Sequence, residues 1–229
     1  MRIGKRLEKI LEIIPNKLGR VVDVGTDHGF LALKMIEEKN VKEVFATDIS
    51  APSLEKARLL AEKYGLTDRL KTVVSDGFKS LDNGDFDLAV IAGMGGNETI
   101  KILKDAYNLK RFGSFILQPM QDVDILRRYL FETGFEIYFD ETVKDRNKFY
   151  SIIKCKFVGK PKNYELIDIF IGKTDKNNKG PDFIEYLNFE ISALKGREKY
   201  LSDVDKARIQ LYNEIMLDKK WGNKNEKHD

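Results

Sequence analysis

The feature that most constrains the fold is a short apolar strand that leads into a glycine turn and then a helix. Residues 21–31 read VVDVGTDHGFL, with Asp23 near the strand end and Gly25 and Gly29 after it. Glycine lets the chain turn tightly and lets a ligand approach bare backbone. The following helix would point its free N–H groups and dipole at that ligand. We therefore expect a ligand at the carboxyl end of the first strand of an open α/β sheet.

Strand-like and helix-like patterns alternate over the first 132 residues, which predicts βαβ units and a parallel sheet covered on both faces. The predicted strands are residues 20–24, 43–49, 71–75, 86–91 and 113–118. The predicted helices are residues 1–14, 29–38, 52–64, 97–107 and 122–132. Two further strands, 134–141 and 148–158, follow with only a short linker between them, so we expect them to pair antiparallel. Cys155 alternates with lysines in the second of these and is predicted to lie in the core.

The remainder of the chain has a different pattern. Residues 173–182 are rich in Gly, Lys and Asn and predict a loop or hinge. From Phe183 to about Lys219 the apolar residues predict a helical hairpin or coiled coil, which Gly196 would interrupt. Those near heptad spacing are Leu187, Ile191, Leu194, Leu201, Val204, Leu211 and Ile215. We divide the chain into an α/β domain (1–158) and a helical coiled-coil domain (159–229), and we expect its tail, WGNKNEKHD, to be disordered.

Composition excludes several classes of protein. No stretch approaches the ~20 uninterrupted apolar residues that span a membrane, and the N-terminus lacks the apolar run of a signal peptide. One cysteine and two histidines argue against a disulfide and a structural metal site. Residues 141–229 hold 19 Lys and Arg against 15 Asp and Glu, a weak excess that suits a polyanionic partner. We expect a cytoplasmic monomer that binds neither membrane nor metal.

The acids around the first turn indicate the charge of its ligand. The dinucleotide fingerprint G-x-G-x-x-G fails at Asp27 and Phe30, and the phosphate-binding P-loop is absent. Carboxylates at Asp23 and Asp27 would repel a pyrophosphate but suit a cationic ligand. S-adenosylmethionine carries a sulfonium and an ammonium, and D-x-G-x-x-x-G is similar to a methyltransferase first motif.

Acids at the next two strand ends favour the same ligand. Asp48 ends the second strand, where an acid can accept hydrogen bonds from both ribose hydroxyls of an adenosyl group. Asp76 follows the third strand and could accept the adenine amino group, with Phe78 or Ile49 against the ring. Each acid alone could be a helix cap. With Asp23 they form a set on three consecutive strand ends, which predicts adenosylmethionine binding.

The acceptor is expected at the ends of the fourth and fifth strands. Residues 91–99 read IAGMGGNET, and Gly93, Gly95 and Gly96 would let a flat acceptor approach the backbone. The Asn/Asp-Pro-Pro-aromatic signature of enzymes that methylate exocyclic amines is absent there. The loop could also be a tight turn alone. Gln118–Pro119 lies on the same rim and could shape the acceptor pocket.

Together these segments resemble the bacterial tRNA adenine-22 N1-methyltransferases, the TrmK family. The resemblance is carried by DVGTDHGFL (23–31), ATDIS (46–50), SDGF (75–78), IAGMGG (91–96), ILQPM (116–120) and KFYSII (148–153). It spans residues 1 to about 158 and extends more loosely over the helical C-terminus. It implies a seven-stranded Rossmann-like class I methyltransferase sheet, parallel with an antiparallel final strand pair, and a C-terminal α-helical coiled-coil appendage.

The resemblance also implies methyl transfer from S-adenosylmethionine to N1 of adenine-22 in tRNA, with S-adenosylhomocysteine as product. Cofactor roles carry over to Asp23, Gly25, Gly29, Asp48, Asp76 and Gly77, and we add Ile49, Phe78, Ala92 and Gly93 as expected cofactor contacts. Acceptor-side roles carry over to Asp27, His28, Met94 and Gln118–Pro119, and we add Gly95. Phe30 stands where the family often has tyrosine.

The chemistry of N1 of adenine suggests catalytic roles for two of these residues. Its in-plane lone pair needs alignment more than a strong base. A carboxylate can stabilise the cationic product as it forms, and we nominate Asp27 for this. His28 is the second candidate, although it could instead be a helix-start residue bonded to backbone.

The same function requires contacts with tRNA, because the shielded base must be extruded. Candidate phosphate contacts are Arg2, Lys5, Arg6, Lys195, Arg197 and Lys199. The basic residues of the first helix could also form only a solvated face. Two other functions stay open: a small-molecule methyltransferase on the same fold, and a non-catalytic RNA- or adenosylmethionine-binding protein.

Overall fold

The computed structural model describes residues 3–217, without the side chain of Glu198. The strands are β1 (Arg20–Val24), β2 (Glu43–Asp48), β3 (Leu70–Val74), β4 (Phe86–Met94), β5 (Phe112–Pro119), β6 (Phe135–Asp145) and β7 (Lys148–Phe157). The helices are α1 (Lys5–Ile13), α2 (Phe30–Lys39), α3 (Ala51–Lys63), α4 (Gly96–Lys104), α5 (Val123–Thr133), α6 (Leu166–Phe170), α7 (Lys173–Asn177), α8 (Pro181–Lys195) and α9 (Asp203–Leu217). Short 3-10 helices occupy Leu109–Arg111 and Glu198–Tyr200.

The strands form one sheet in the order β3-β2-β1-β4-β5-β7-β6. β3, β2, β1, β4 and β5 are parallel to one another, whereas β7 pairs antiparallel with both β5 and β6. The predicted parallel sheet with an antiparallel final pair is therefore confirmed. The connection between β6 and β7 is tighter than the predicted linker, because Asp145 already pairs with Lys148 and only two residues turn the chain.

Hydrophobic side chains cover both faces of the sheet. On β1, Val21 packs with α1 and α2 on one face, while Val22 faces the opposite side with α4 and α5. This alternation explains why the central strands are almost continuously apolar in sequence. Cys155 is fully buried in the second of these clusters, as predicted. The crossover helices leave the carboxyl ends of the parallel strands together at one edge.

The C-terminal helices pack against one another through a third apolar cluster. It combines residues 169–171 with Phe183, Leu187 and Ile191 of α8 and Tyr212 and Ile215 of α9. α7 and α8 also pack on β6, and α8 packs on α9.

Three sequence expectations for this region meet different outcomes. The predicted loop at residues 173–182 is wrong in part, because it contains α7 and the start of α8. Val204, expected at a heptad core position, is 54% exposed. The tail WGNKNEKHD lies outside the described residues.

Within residues 3–217, no helix has both the length and the apolar character needed to cross a membrane. The same part of the chain holds no group of three or more His, Cys, Asp or Glu side chains placed to hold a metal ion.

Candidate cofactor and acceptor site

A cavity of about 610 Å³ opens at the carboxyl ends of β1 to β4. It lies where the glycine turn, the second and third strand ends and the glycine-rich loop were expected to meet. Its lining comprises Val24, Gly25, Asp48, Ile49, Ser75, Asp76, Gly77, Met94, Gly95, Glu98, Lys101 and Ile102. Seven of these twelve residues are among the site residues predicted from the sequence: Gly25, Asp48, Ile49, Asp76, Gly77, Met94 and Gly95.

The turn after β1 is fixed by backbone geometry. Gly25 has a φ of 77°, and its N–H donates to the carbonyl of Thr47 at 2.7 Å. A Cβ on Gly25 would collide with the terminal methyl of Met94. The left-handed backbone at position 25 therefore favours glycine, and any side chain there would also have to displace the end of the Met94 side chain.

The carboxylate of Asp48 is oriented by one backbone hydrogen bond. Its Oδ1 accepts the backbone N–H of Ser50 at 2.7 Å, while Oδ2 has no hydrogen-bond partner among the described residues. The neighbouring Ile49 is 76% exposed and lines the same cavity. An oriented carboxylate beside an exposed aliphatic side chain suits a group with a polar diol and a flat apolar face.

The third strand end is a tight turn built around Ser75. Its hydroxyl donates to the carbonyl of Gly77 at 2.9 Å and accepts the N–H of Ser80 at 3.0 Å. The carboxylate of Asp76 accepts from Lys79 Nζ at 2.6 Å, and this hydrogen bond holds the pKa of Asp76 below its ordinary value. Asp76 is thus ionised and partly exposed at the cavity wall.

Phe78 does not take part in the cavity, so this predicted contact is corrected. Gly77 has a φ of 63°, and the chain after it turns Phe78 into the core. There the Phe78 ring lies 4.6 Å from that of Phe112, centroid to centroid, and the side chain is buried. Of the two side chains considered for an aromatic ligand, Ile49 is the one that faces the cavity.

Asp23 and Gly29 lie near the turn but do not line the cavity. Asp23 is buried, bonds the Thr26 side chain, and has its pKa raised to about 6, mainly by burial. Gly29 has a φ of 72°, and a Cβ there would lie 2.8 Å from the Cβ of Ala57 on α3. The second glycine of the motif therefore permits close packing of α2 on α3.

The two proposed catalytic residues lie in the turn before α2, where Asp27 is exposed and His28 is half-buried. The side chain of Asp27 is 77% exposed, with His28 Nε2 at 3.2 Å and Lys56 Nζ at 4.0 Å from its oxygens. The His28 ring stacks on Phe30 with centroids 5.3 Å apart. Within residues 3–217, His28 makes no side-chain hydrogen bond to backbone, and neither Asp27 nor His28 lines the cavity.

Gln118 organises the acceptor side from inside the protein. It is fully buried, and its Oε1 accepts the Gly93 N–H at 3.0 Å and a hydrogen bond from Arg6 Nη1. Its Nε2 donates to the carbonyl of Pro119 at 2.9 Å. Gln118 therefore joins α1, the β4 end and the β5 end, and does not itself line the cavity.

The other residues of the glycine-rich loop likewise include some that line the cavity and some that do not. Met94 and Gly95 line the cavity, whereas Ala92 packs on the core and Gly93 is exposed beside Arg6. The N–H of Gly96 donates to the carbonyl of Gln121 at 2.9 Å, and a Cβ on Gly96 would collide with the backbone of Asp122. The glycine-rich loop is thus tightly packed as well as open to the cavity.

Sequence reasoning missed three lining residues on α4. Glu98, Lys101 and Ile102 follow the glycine-rich loop, and Lys101 Nζ lies 3.8 Å from Glu98 Oε1. Their spacing of three and four on a predicted helix was the available signal. The pair adds one carboxylate and one ammonium to the cavity wall.

The basic residues expected to contact tRNA are spread over the surface. Lys5, Lys195, Arg197 and Lys199 are exposed, and Arg6 is half-buried by its contact with Gln118. Arg2 lies outside the described residues.

Comparisons with known proteins agree on a class of protein. The family described as "Methyltransferase domain" matches residues 3–153. A Mycoplasma pneumoniae protein, provisionally named a tRNA methyltransferase, is 31% identical over 143 residues. That alignment covers 62% of this chain and 65% of the relative, so the chain spans just under two thirds of that protein's length.

Two solved structures are similar over most of the chain. M. capricolum TrmK, solved with S-adenosyl-homocysteine, is 25% identical with a TM-score of 0.79, and the alignment covers 94% of this chain and 97% of that one. A Streptococcus pneumoniae protein, provisionally a tRNA (m1A22) methyltransferase, was solved with S-adenosyl-L-methionine. It is 25% identical with a TM-score of 0.85, over 94% of this chain and all of that one. Both alignments extend beyond the sheet, so the C-terminal helices are part of the shared fold.

Proposed function

Because the chain belongs to the methyltransferase domain family, we propose that it transfers a methyl group from S-adenosylmethionine to N1 of adenine-22 in tRNA. The observation that carries the proposal is the cavity at the strand ends, where Asp48, Ile49 and Asp76 meet the glycine turn. The similarity to TrmK of M. capricolum supports the substrate. It also confirms the family resemblance stated from the sequence.

The residues present fit an adenosyl cofactor. The free Oδ2 of Asp48 would accept the ribose hydroxyls, and Ile49 would pack against the adenine ring. The partly exposed Asp76 would accept the adenine amino group. When bound, the cofactor supplies an electrophilic methyl group on a sulfonium. Gly25 and Gly95 would leave its reactive end close to bare backbone.

The protein's task at the acceptor is alignment. N1 of adenine already carries the attacking lone pair, so holding it in line with the methyl group lowers the barrier most. We assign the stabilisation of the cationic product to Asp27. Its side chain is exposed, and among residues 3–217 its carboxylate pairs with His28 and Lys56. His28 is the second candidate for that role.

The proposal extends to organisation and partners. We divide the chain into a catalytic domain at residues 1–158 and a C-terminal domain at 159–229, in which α8 and α9 pair as a short coiled coil. Leu187 and Ile191 against Ile215, with the ion pair of Arg208 and Glu190, support that pairing. We propose a cytoplasmic monomer that contacts tRNA phosphates through the basic residues of α1 and of residues 195–199.

A methyl-transfer assay tests the function. An unmodified tRNA transcript with adenosine at nucleotide 22 is incubated with protein and cofactor, digested, and analysed for 1-methyladenosine by mass spectrometry. The matched control carries guanosine at that single position. Product that disappears in the control supports substrate, atom and position together. Cofactor binding without product on several tRNAs would favour a small-molecule methyltransferase, and loss of both would favour a non-catalytic protein.

Two variants separate chemistry from cofactor binding. Asp27→Ala is expected to abolish methyl transfer while largely preserving cofactor affinity in calorimetry. Asp48→Ala is expected to weaken cofactor affinity, because it removes the oriented carboxylate. Near-wild-type transfer by the first variant would remove Asp27 from the mechanism, and unchanged affinity in the second would contradict the ribose assignment.

A further inference from the structure

A second cavity, of about 520 Å³, lies between α1 and the β6–β7 hairpin and shares no lining residue with the cavity at the strand ends. Its size falls within the range of about 300–1,000 Å³ that is typical of small-ligand sites. Arg6 lines it from α1, and Arg146, Lys148 and Tyr150 line it from the hairpin. Tyr150 and Lys148 belong to the KFYSII segment, which the cofactor site does not use.

The cavity has a net positive charge. Within the described part of the chain, Asp145 is the one carboxylate on its lining. That carboxylate is already engaged, because Asp145 Oδ2 accepts the Arg6 backbone N–H at 3.3 Å at the start of α1. A carboxylate at a helix N-terminus is stabilised by the helix dipole and the free N–H groups. Arg146 and Lys148 make no ion pair among residues 3–217, so their charges are left for a ligand.

The cavity also offers an aromatic face. The guanidinium carbon of Arg6 lies 5.5 Å from the centroid of the Tyr150 ring, and both side chains are half-buried. Proteins hold single-stranded nucleotides with cationic groups that lie along the phosphate backbone of the nucleic acid. Aromatic rings and arginine planes in the same site stack on the bases.

One cation of the hairpin, Arg146, has an unfavourable backbone conformation. Arg146 has a φ of 57°, in the left-handed region that favours Gly or Asn at the tip of a tight hairpin. An arginine at this position is opposed by local conformation, and its side chain lines the cavity.

Arg6 connects this cavity to the acceptor loop. Its Nη1 donates to Gln118 Oε1, and the same oxygen accepts the Gly93 N–H at 3.0 Å. A Cβ on Gly93 would lie 3.8 Å from Arg6 Nη1. One side chain therefore separates the second cavity from the loop where the acceptor base is expected.

We infer that the cavity between α1 and the β6–β7 hairpin is the subsite for the nucleotide next to the methylated adenosine. Arg146 and Lys148 bind its phosphate, and Tyr150 with Arg6 stacks on its base. The inference rests on the proposed function, since extrusion of a base leaves its neighbours unstacked and in need of new contacts.

Binding and kinetics of variants test the subsite. The variants are Tyr150→Leu, its conservative partner Tyr150→Phe, and Lys148→Gln. Lys110→Gln is the control, because Lys110 precedes β5 and so lies near the amino ends of the parallel strands. Affinity for the unmodified tRNA transcript is measured by fluorescence anisotropy at several salt concentrations. Tyr150→Leu is expected to weaken binding on the order of tenfold, and Tyr150→Phe to restore it. Lys148→Gln is expected to reduce the slope of log affinity against log salt by about one.

Further measurements distinguish loss of the subsite from loss of the overall fold. The KM for tRNA is expected to rise in Tyr150→Leu and Lys148→Gln, while cofactor affinity and melting temperature stay near wild type. Lys148 is exposed at the hairpin, so its substitution tests the subsite even if Tyr150→Leu misfolds. Equal tRNA affinity and salt slope in Lys148→Gln and Lys110→Gln would overturn the subsite. A wild-type protein that binds the transcript through these residues without forming 1-methyladenosine would overturn the proposed function alone.

Discussion

At the scale of single residues, two glycines allow the effect of backbone strain on stability to be distinguished from the effect of a steric collision. Gly29 and Gly65 both have left-handed backbones, with φ of 72° and 66°. A Cβ on Gly29 would lie 2.8 Å from that of Ala57, whereas a Cβ on Gly65 would meet no heavy atom of residues 3–217 within 4 Å, apart from its two chain neighbours. The glycine of the first motif is therefore required by helix packing as well as by its φ.

We expect Gly65→Ala to lower the free energy of unfolding by about 1–2 kcal/mol, from strain alone. Gly29→Ala is expected to cost clearly more, because the collision with Ala57 is added to the same strain. Adding Ala57→Gly to Gly29→Ala should recover part of the loss, since it removes the colliding atom. Urea unfolding measures all three, and equal losses for the two single substitutions would contradict the packing argument.

A second prediction concerns the pH dependence of stability. Burial raises the pKa of Asp23 from 3.8 to about 6. Between these values the folded protein holds a proton that the unfolded chain releases, so this group makes stability fall as pH rises through the window. The lost contribution is at most about 3 kcal/mol.

Asp23→Asn should remove that loss. The variant is expected to gain stability over wild type as pH rises from 4 to 7, measured by urea unfolding without cofactor. Asp175, whose pKa burial raises to about 7, contributes the same trend to both proteins, so the difference between them isolates Asp23. Asp203→Asn, at an exposed acid, is the control and should follow the wild-type profile. A constant difference between Asp23→Asn and wild type across the range would refute the shift.

Part of the site could be predicted residue by residue. Asp48 and Asp76 were found because acids at the ends of parallel strands share one edge. The direction of Phe78 could not be predicted, because the left-handed turn at Gly77 decides which way the next side chain points. Gln118 is predicted to shape the acceptor pocket from its rim, but it is buried and bonds Arg6 and Gly93, which are distant in sequence.

At the scale of elements, a buried ion pair joins the sheet to the C-terminal helices. Arg127 on α5 donates to both oxygens of Asp140 on β6, at 2.7 and 2.9 Å. It also donates to the carbonyl of Ile169 on α6 at 3.0 Å and to the hydroxyl of Ser151 on β7 at 3.2 Å. Both side chains of the pair are buried. The guanidinium thus links α5 to β6, β7 and α6.

Arg127→Leu is expected to lower the free energy of unfolding by about 3–5 kcal/mol, because it leaves the Asp140 carboxylate buried without its partner. Arg128→Leu, the exposed neighbour on the same helix, is the matched control and should change little. Replacing Asp140 by leucine as well should restore much of the loss, since no unpaired charge then remains. A single and a double variant of equal instability would argue against the unpaired-charge explanation.

Element boundaries show what local pattern can and cannot decide. β1 was predicted at the residues where it occurs, because its apolar run ends at a glycine. α7 was missed, since Lys173–Asn177 is polar and has no helical periodicity. Its place is set by tertiary contacts: Asp175 accepts from the N–H and hydroxyl of Thr142 on β6, at 2.9 and 2.7 Å.

At the scale of the whole molecule, the arrangement of charge matters more than the net charge of +3. Lys195, Arg197 and Lys199 are exposed where α8 ends. If they bind tRNA phosphates, replacing all three by glutamine should weaken tRNA binding and reduce its salt slope by up to about three. Cofactor affinity should not change.

The control removes the same charge elsewhere. Lys17, Lys42 and Lys110 are exposed and each precedes a strand of the sheet, so they lie at the edge away from the cavity. Their replacement by glutamine is expected to leave the salt slope near wild type. Equal slopes in the two triple variants would mean that binding responds to total charge and that the C-terminal residues are not specific contacts.

The bond between Arg6 and Gln118 also sets an order of events during synthesis. The two residues are 112 positions apart, so α1 leaves the ribosome long before its partner exists. At about 5–20 residues per second, that wait is roughly 6–22 s. Lys154, which donates to the carbonyl of Ile13, emerges later still. The nascent chain therefore cannot complete its acceptor loop until β5 has been translated, and α1 cannot be tied to β7 until Lys154 has followed. Competence for catalysis is thus delayed until at least the parallel strands of the sheet exist.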